Sequence, residues 1–240
     1  MLLLDAGGSL TGQSLADATQ GQVIVEAMNR LGYTAMAIGE RELYLGVAEL
    51  TRRMQEARFP FVSANVIVKA TGKLLAEPYT IVEAGRIKVG ILGLTNTNAL
   101  QTKAMNTSTG ATWPDRSAEV AITDPLAAAQ KYVPELAAKA DMVIVLSHTG
   151  MDIDQRLAEQ VPGIAVIVGG YTRRLLSPPL TVQDTLIVQA GYDGEWLGRL
   201  DVQLDGMGKV ARYEGTIISL GPDYKDDPQM AQWLNQVKKP

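Results

Sequence analysis

Met142-Val143-Ile144-Val145-Leu146-Ser147-His148-Thr149-Gly150 runs five apolar residues into a polar turn that carries the single histidine of the chain. An apolar run of this length, rich in β-branched residues and without polar alternation, predicts a strand buried on both faces. Working outward, Leu2-Leu3-Leu4, Ala35 to Ile38, Val89 to Leu92, Ala165 to Val168 and Leu186 to Val188 read the same way. Segments of helical spacing lie between them. Val23, Ala27, Met28 and Leu31 share a face and Gly32 stops the run. Asp124-Pro125, a cap followed by a first-turn proline, opens a helix through Leu126, Ala129, Tyr132, Leu136 and Ala137. Asp152 to Gln160 forms a third, closed by Val161-Pro162-Gly163. The alternation predicts an α/β layer fold.

The last third changes character. Leu180-Thr181-Val182, Leu186 to Gln189, Leu197 to Leu204 and Lys209 to Ile218 are strand-like pieces separated by turns such as Asp205-Gly206-Met207-Gly208, which predicts antiparallel pairing. A polar tail follows, with a short helix expected over Gln229 to Val237. The absence of repeats and low-complexity linkers favours one domain, residues 1–228, and a helical tail, 229–240.

Composition narrows function. The 240 residues contain no Cys and one His, which nearly closes off metal sites built on those ligands. Lys plus Arg total 22 against 26 Asp plus Glu, a net charge of -4, with no basic surplus for a nucleic-acid polymer. The opening run Met1 to Leu4 ends at Asp5 and lacks signal-peptide character. Nothing approaches the roughly 20 apolar residues that span a bilayer.

Turn motifs at the predicted strand ends carry a resemblance. They are Leu4-Asp5-Ala6-Gly7-Gly8-Ser9, Ile38-Gly39-Glu40-Arg41-Glu42, Phe61-Val62-Ser63-Ala64-Asn65, Ser147-His148-Thr149-Gly150, Val168-Gly169-Gly170-Tyr171 and Ala190-Gly191-Tyr192-Asp193-Gly194. In order and spacing the series resembles the catalytic domain of the 5′-nucleotidase branch of the calcineurin-like metallophosphoesterases. The resemblance implies a four-layer α/β/β/α sandwich with two divalent metals, about 3.5–4 Å apart, that activate water and clamp a phosphoryl group.

Residue by residue, the metal motifs differ from the family's. Where the family has Asp-Ala-Gly-Asp, Gly8 stands at the bridging Asp and Asp5 lies three residues too early. Gly-Asn-His-Glu becomes Gly39-Glu40-Arg41-Glu42, so Glu40 replaces the Asn ligand and Arg41 the His, while Tyr44 stands for a nearby Asp. His148 matches the family's His ligand. Gly-Gly-His-x-His becomes Gly169-Gly170-Tyr171-Thr172-Arg173, without either imidazole. The family's Asp-x-His motif, on an opening strand, has no counterpart in residues 1–240, which begin where the family's second strand would.

These substitutions lead to an expectation of a binding or structural module without a metal cofactor, docking a protein or a small anion. His148, Glu40 and Asp5 remain the candidates should Mn²⁺, Mg²⁺ or Zn²⁺ bind. The alternatives are a hydrolase completed by residues outside this chain and an anion sensor built on Arg41 and Arg173. If the arginines are buried, carboxylate partners are expected among Glu40, Glu42 and Asp5. His148 is expected to be hydrogen-bonded within the fold, and Tyr192 and Trp196 to be core residues. Relatives of this branch imply a periplasmic or extracellular location.

Overall fold

The computed structural model describes residues 1–100, 115–206 and 209–237. From the amino terminus come β1 (Leu4–Asp5), α1 (Ser14–Ala18), α2 (Gln22–Leu31), β2 (Ala35–Ala37), α3 (Glu40–Leu43), α4 (Val47–Glu56) and β3 (Phe61–Val62). Next are β4 (Val66–Val68), β5 (Lys73–Leu74), β6 (Tyr79–Ala84), β7 (Ile87–Thr95) and β8 (Val120–Ile122). The second half holds α5 (Pro125–Ala137), β9 (Met142–His148), α6 (Met151–Gln160), β10 (Val166–Gly169), β11 (Leu180–Val182) and β12 (Thr185–Val188). A hairpin, β13 (Trp196–Leu204) and β14 (Val210–Ser219), precedes α7 (Pro228–Val237).

The first sheet is parallel in the order β1-β2-β3. A second, mixed sheet runs β11-β12-β10-β9-β7-β6, with β7, β9, β10 and β12 parallel. Two-residue periodicity sorts each strand's side chains between layers. Met142, Ile144 and Leu146 of β9 face the first sheet, meeting Ala35, Ala37 and Val62. Val143 and Val145 face α5 and α6, where Val133, Leu136, Leu157 and Ala158 cover them. On the first sheet's far side, Met36, Ile38 and Phe61 are covered by Val25 and Met28 of α2 and Leu50 of α4. The layers therefore run α/β/β/α.

Glycines set how closely the layers approach. A Cβ on Gly93 would lie 2.1 Å from the Val62 carbonyl oxygen, so the sheets meet there only because β7 has no side chain. Gly90 faces the opposite layer, where a Cβ would lie 2.4 Å from Cγ of Leu136.

The predicted helices form close to their expected limits. Asp124 caps α5 by accepting from the Leu126 N–H at 3.1 Å, and Gly32 closes α2 with φ of 74°. The amino-terminal strand is shorter than the apolar run Leu2 to Leu4, because its ladder with β2 holds Leu4 and Asp5 alone. The antiparallel reading of the last third holds for β11–β12 and β13–β14, while β12 also pairs in parallel with β10 on its other side. Tyr192 is 49% exposed and Trp196 half-buried, so neither is a core residue; both lie at the loop where Gly191 and Gly194 take positive φ. Of the expected turn at 205–208, Met207 and Gly208 lie outside the described residues.

Candidate functional site

The parallel strands of both sheets end on one edge, where open α/β sheets gather their loops. Residues 6–10 follow β1, 38–44 follow β2, 149–150 follow β9 and 170–174 follow β10. At the centre is His148, 3% exposed. Its Nδ1 lies 2.8 Å from the Ala6 carbonyl oxygen, an acceptor only, so this nitrogen carries a hydrogen. Nε2 meets Oε2 of Glu40 in a short ion pair.

Burial by itself would lower the His148 pKa, but the hydrogen bond and charge of Glu40, joined by the Glu42 charge, outweigh it and raise it. Burial pushes Glu40 the other way, and the bond and charge of His148 hold it below its ordinary value. Each partner stabilises the other's charged form. Both directions favour an imidazolium beside a carboxylate, and both ring nitrogens have partners.

Space for the ring comes from three glycines on three loops. A Cβ on Gly8 would lie 2.8 Å from Cε1 of His148, one on Gly39 2.7 Å from Cδ2, and one on Gly170 3.2 Å from Nδ1. Gly8 also has φ of +86°, which side-chain-bearing residues rarely adopt. Tyr171 closes the remaining side, its ring edge-on to the imidazole with centroids 5.5 Å apart.

The other carboxylates are occupied locally. Glu42, fully buried, accepts from four backbone N–H groups: Gly8 at 2.7 Å, Ser9 at 2.8 Å, Leu10 at 2.9 Å and Gly39 at 2.8 Å. It thereby fastens the loop after β1 to the start of α3. Asp5 accepts from the Gly7 N–H at 2.7 Å and the Ser9 hydroxyl at 2.8 Å. Burial pushes both carboxyls up, while these donors pull them back. Tyr44 is buried nearby, and burial together with the Glu40 charge pushes its hydroxyl up to about 12.

The arginines, Arg41 half-buried and Arg173 exposed, do not meet the condition of burial under which carboxylate partners are expected. Arg41 turns its Nη1 onto the Thr11 carbonyl oxygen at 3.3 Å, and none of Asp5, Glu40 or Glu42 forms a salt bridge to it among the described residues. The reason is visible in the carboxylates: backbone N–H groups and His148 already satisfy them. Arg173 is exposed at φ of 55°, and no hydrogen bond joins its side chain to the pocket among the described residues. Thus Asp5, Gly8, Glu40, Glu42, His148 and Tyr171 are brought together, with Tyr44 alongside; Arg41 borders them, its charge acting on Glu40 and Tyr44 without a salt bridge among the described residues, while Arg173 stands apart. Among the described residues no three His, Asp or Glu side chains are set to hold a metal ion.

A second polar cluster is one that sequence reasoning misses. Asp154, 0% exposed on α6, accepts from the Ser147 hydroxyl and from the Thr149 hydroxyl at 3.0 Å. Gln189, at the end of β12, accepts through Oε1 from the Thr172 hydroxyl at 2.9 Å and the Arg174 N–H at 3.0 Å. The signal that could have found it is a carboxylate on the inward stripe of α6, between Met151 and Leu157.

No protein-family profile matches the chain. The snake venom 5′-nucleotidase of Gloydius brevicauda is 31% identical over 264 residues, covering 99% of this chain and 43% of the venom protein. The crystal structure of the 5′-nucleotidase precursor from Thermus thermophilus matches with TM-score 0.85 at 34% identity, covering 100% of this chain and 49% of that one. The chain belongs to the 5′-nucleotidase branch of the calcineurin-like phosphoesterases. Calcineurin-like phosphoesterase YfkN from Bacillus subtilis, at 24% identity, shares its fold with TM-score 0.83 over 98% of this chain and 82% of that one. This 5′-nucleotidase-like chain thus spans less than half the length of the venom relative.

Proposed function

We propose that this chain is a 5′-nucleotidase-like domain that has lost two-metal phosphoester hydrolysis and serves as a binding or structural module for a protein or a small anion. The observation that carries this reading is the His148–Glu40 ion pair lodged among Gly8, Gly39 and Gly170. A two-metal centre needs a bridging carboxylate and ring nitrogens with free lone pairs. Gly8 supplies no carboxylate, and any side chain there would run into the imidazole. The residues present do not suit two divalent ions.

Elemental analysis of the purified protein, paired with assays of bis(p-nitrophenyl) phosphate and 5′-AMP in Mn²⁺, Zn²⁺ and Mg²⁺, tests the reading. Substoichiometric metal and no turnover are expected. Two tightly bound metals, with turnover lost in His148→Ala, would refute it and favour the second reading, a hydrolase. That second reading is supported by the 31% identity to a 5′-nucleotidase across 99% of the chain.

Residues 1–228 are read as one domain and 229–240 as its tail; α7 rests on the domain through Trp233, with the Arg30 guanidinium 4.8 Å above its ring. The venom relative supports a location outside the cytoplasm.

A further inference from the structure

Gly169 and Gly170 are consecutive, so they look to opposite sides of the chain as residues at a strand end do. Gly170 borders the His148 pocket. A Cβ on Gly169 would instead lie 2.6 Å from Nε2 of Gln189 and 2.8 Å from Oδ2 of Asp154. Both atoms are buried, and neither has a hydrogen-bond partner among the described residues. They face one another across Gly169, near enough for the amide to favour the carboxylate but outside hydrogen-bonding geometry.

The orientation of the Gln189 amide follows from its other contacts. The Arg174 N–H is a donor only, so the oxygen must face it, and Nε2 is left pointing toward Asp154. That arrangement suits an ionised Asp154. A protonated Oδ2 would set O–H against N–H, and the relief is a half-turn of the amide. The turned amide would present Nε2 to the Arg174 N–H, donor against donor, and the loop would lose this side-chain tether while keeping the bond from the Gly191 N–H to the Arg174 carbonyl oxygen at 2.9 Å. We propose that Gln189 is an amide latch on the loop Tyr171–Arg174, and that the charge on Asp154 decides whether the latch is closed. The loop carries Tyr171 against His148, so opening the latch frees one wall of the first pocket.

The charged surroundings of Asp154 are few. From β9, His148 acts on it through its charge. β10, β11 and β12 contain no ionisable side chain. On α5, Lys131 donates to the Tyr132 hydroxyl and Glu135 pairs with Lys139, all at the surface. Asp152, Arg156 and Glu159 of α6 are exposed, as are Arg173 and Arg174 of the loop, whose Tyr171 is half-buried. Burial pushes the Asp154 carboxyl up to about 6, although the Ser147 and Thr149 hydroxyls, Gln189 and His148 pull it down. The latch therefore opens within an accessible pH range.

Hydrogen exchange of the Arg174 amide, followed by NMR from about pH 7.5 to about pH 5 and corrected for intrinsic exchange, reads the latch directly. Protection is expected to fall about tenfold on acidification as the tether to Gln189 is lost. In Asp154→Asn the side-chain amide must give its oxygen to Ser147 and Thr149 and its NH₂ to Gln189, so Arg174 is expected to be poorly protected at every pH. Unchanged protection in the parent, or an acid-induced loss that persists in Asp154→Asn, would overturn the proposal. Should Asp154→Asn fail to fold, Ser147→Ala decides. It removes a donor to the charged form and must move the midpoint of the loss to higher pH; an unmoved or lowered midpoint would overturn the latch.

Discussion

Two buried polar pockets lie back to back across Gly169-Gly170, and they are filled on different principles. In the first, His148 answers Glu40 and the Ala6 carbonyl, and Glu42 takes four backbone N–H groups, so every charge is met. In the second, one oxygen of Asp154 accepts two hydrogen bonds while the other, and the facing nitrogen of Gln189, have no partner among the described residues. The contrast teaches where rigidity and adjustability reside. A closed charge pair resists removal of either member, because the survivor is left buried and uncompensated. An incompletely satisfied pocket tolerates a change of protonation, because an alternative bonding arrangement is already within reach.

His148→Ala is the most severe way to test this difference. It strands Glu40 and empties the space between Gly8, Gly39 and Gly170, and a loss of about 3 kcal/mol is expected. Asp154→Asn keeps the bonds to Ser147 and Thr149 and is expected to cost less than about 1 kcal/mol. Urea denaturation of both variants at neutral pH measures the gap, and equal losses would break the comparison.

The two glycines provide a smaller test of the same contrast. Gly169→Ala drives a methyl within 2.6 Å of Nε2 of Gln189, whereas the contacts at Gly170 begin at 3.1 Å, with Ala6. Overpacking costs about 1–3 kcal/mol, so about 2 kcal/mol is expected for Gly169→Ala and about 1 kcal/mol for Gly170→Ala. Thermal unfolding of the pair would show the reverse order if the second pocket were the more yielding to added volume.

The pockets also separate by pH. Asp154 binds its proton more tightly in the folded state, with a pKa of about 6 against 3.8, so its contribution to stability declines as pH rises between these values. His148 is raised above 6.5, so its contribution is present in full below that value and is lost as pH climbs through its folded pKa. Glu40, held low, contributes above 4.5 and loses that contribution only as pH falls through its folded pKa. Melting temperatures across pH should therefore lose their alkaline decline in His148→Ala. The acid-side slope should shrink in Asp154→Asn, without vanishing, because Asp5 and Glu42 are raised as well.

Much of this is legible in the residues. Unbroken apolar runs mark β7, β9 and β10 because strands covered on both faces have no polar side, and Asp124-Pro125 and Gly32 mark helix ends by their backbone preferences. Gly39 and Gly170 read as tight turns and Gly8 as the residue standing where the family has its bridging Asp, and their shared role, clearing room for one imidazole, depends on three loops meeting in space. Asp154 and Gln189 escape notice for the same reason. They lie 35 positions apart by their numbers, and only the packing of α6 beside β10 and β12 joins them. A carboxylate partner for Arg41 is the natural expectation because side-chain patterns do not display backbone N–H donors, and in the fold those donors claim Glu42.

Arg41 provides the mildest test. Read from the sequence motifs, its guanidinium stands in for a lost metal charge, and removing such a group would leave the first pocket's carboxylates unbalanced. In the structure it holds the Thr11 carbonyl by a bond of 3.3 Å and is only half-buried. A long bond at a partly solvated site is worth little, so Arg41→Ala is expected to cost about 0.5 kcal/mol. Urea denaturation at neutral pH checks it. A loss above about 2 kcal/mol would mean that the pocket depends on this cation for its charge balance, and the His148–Glu40 pair would then no longer be self-sufficient.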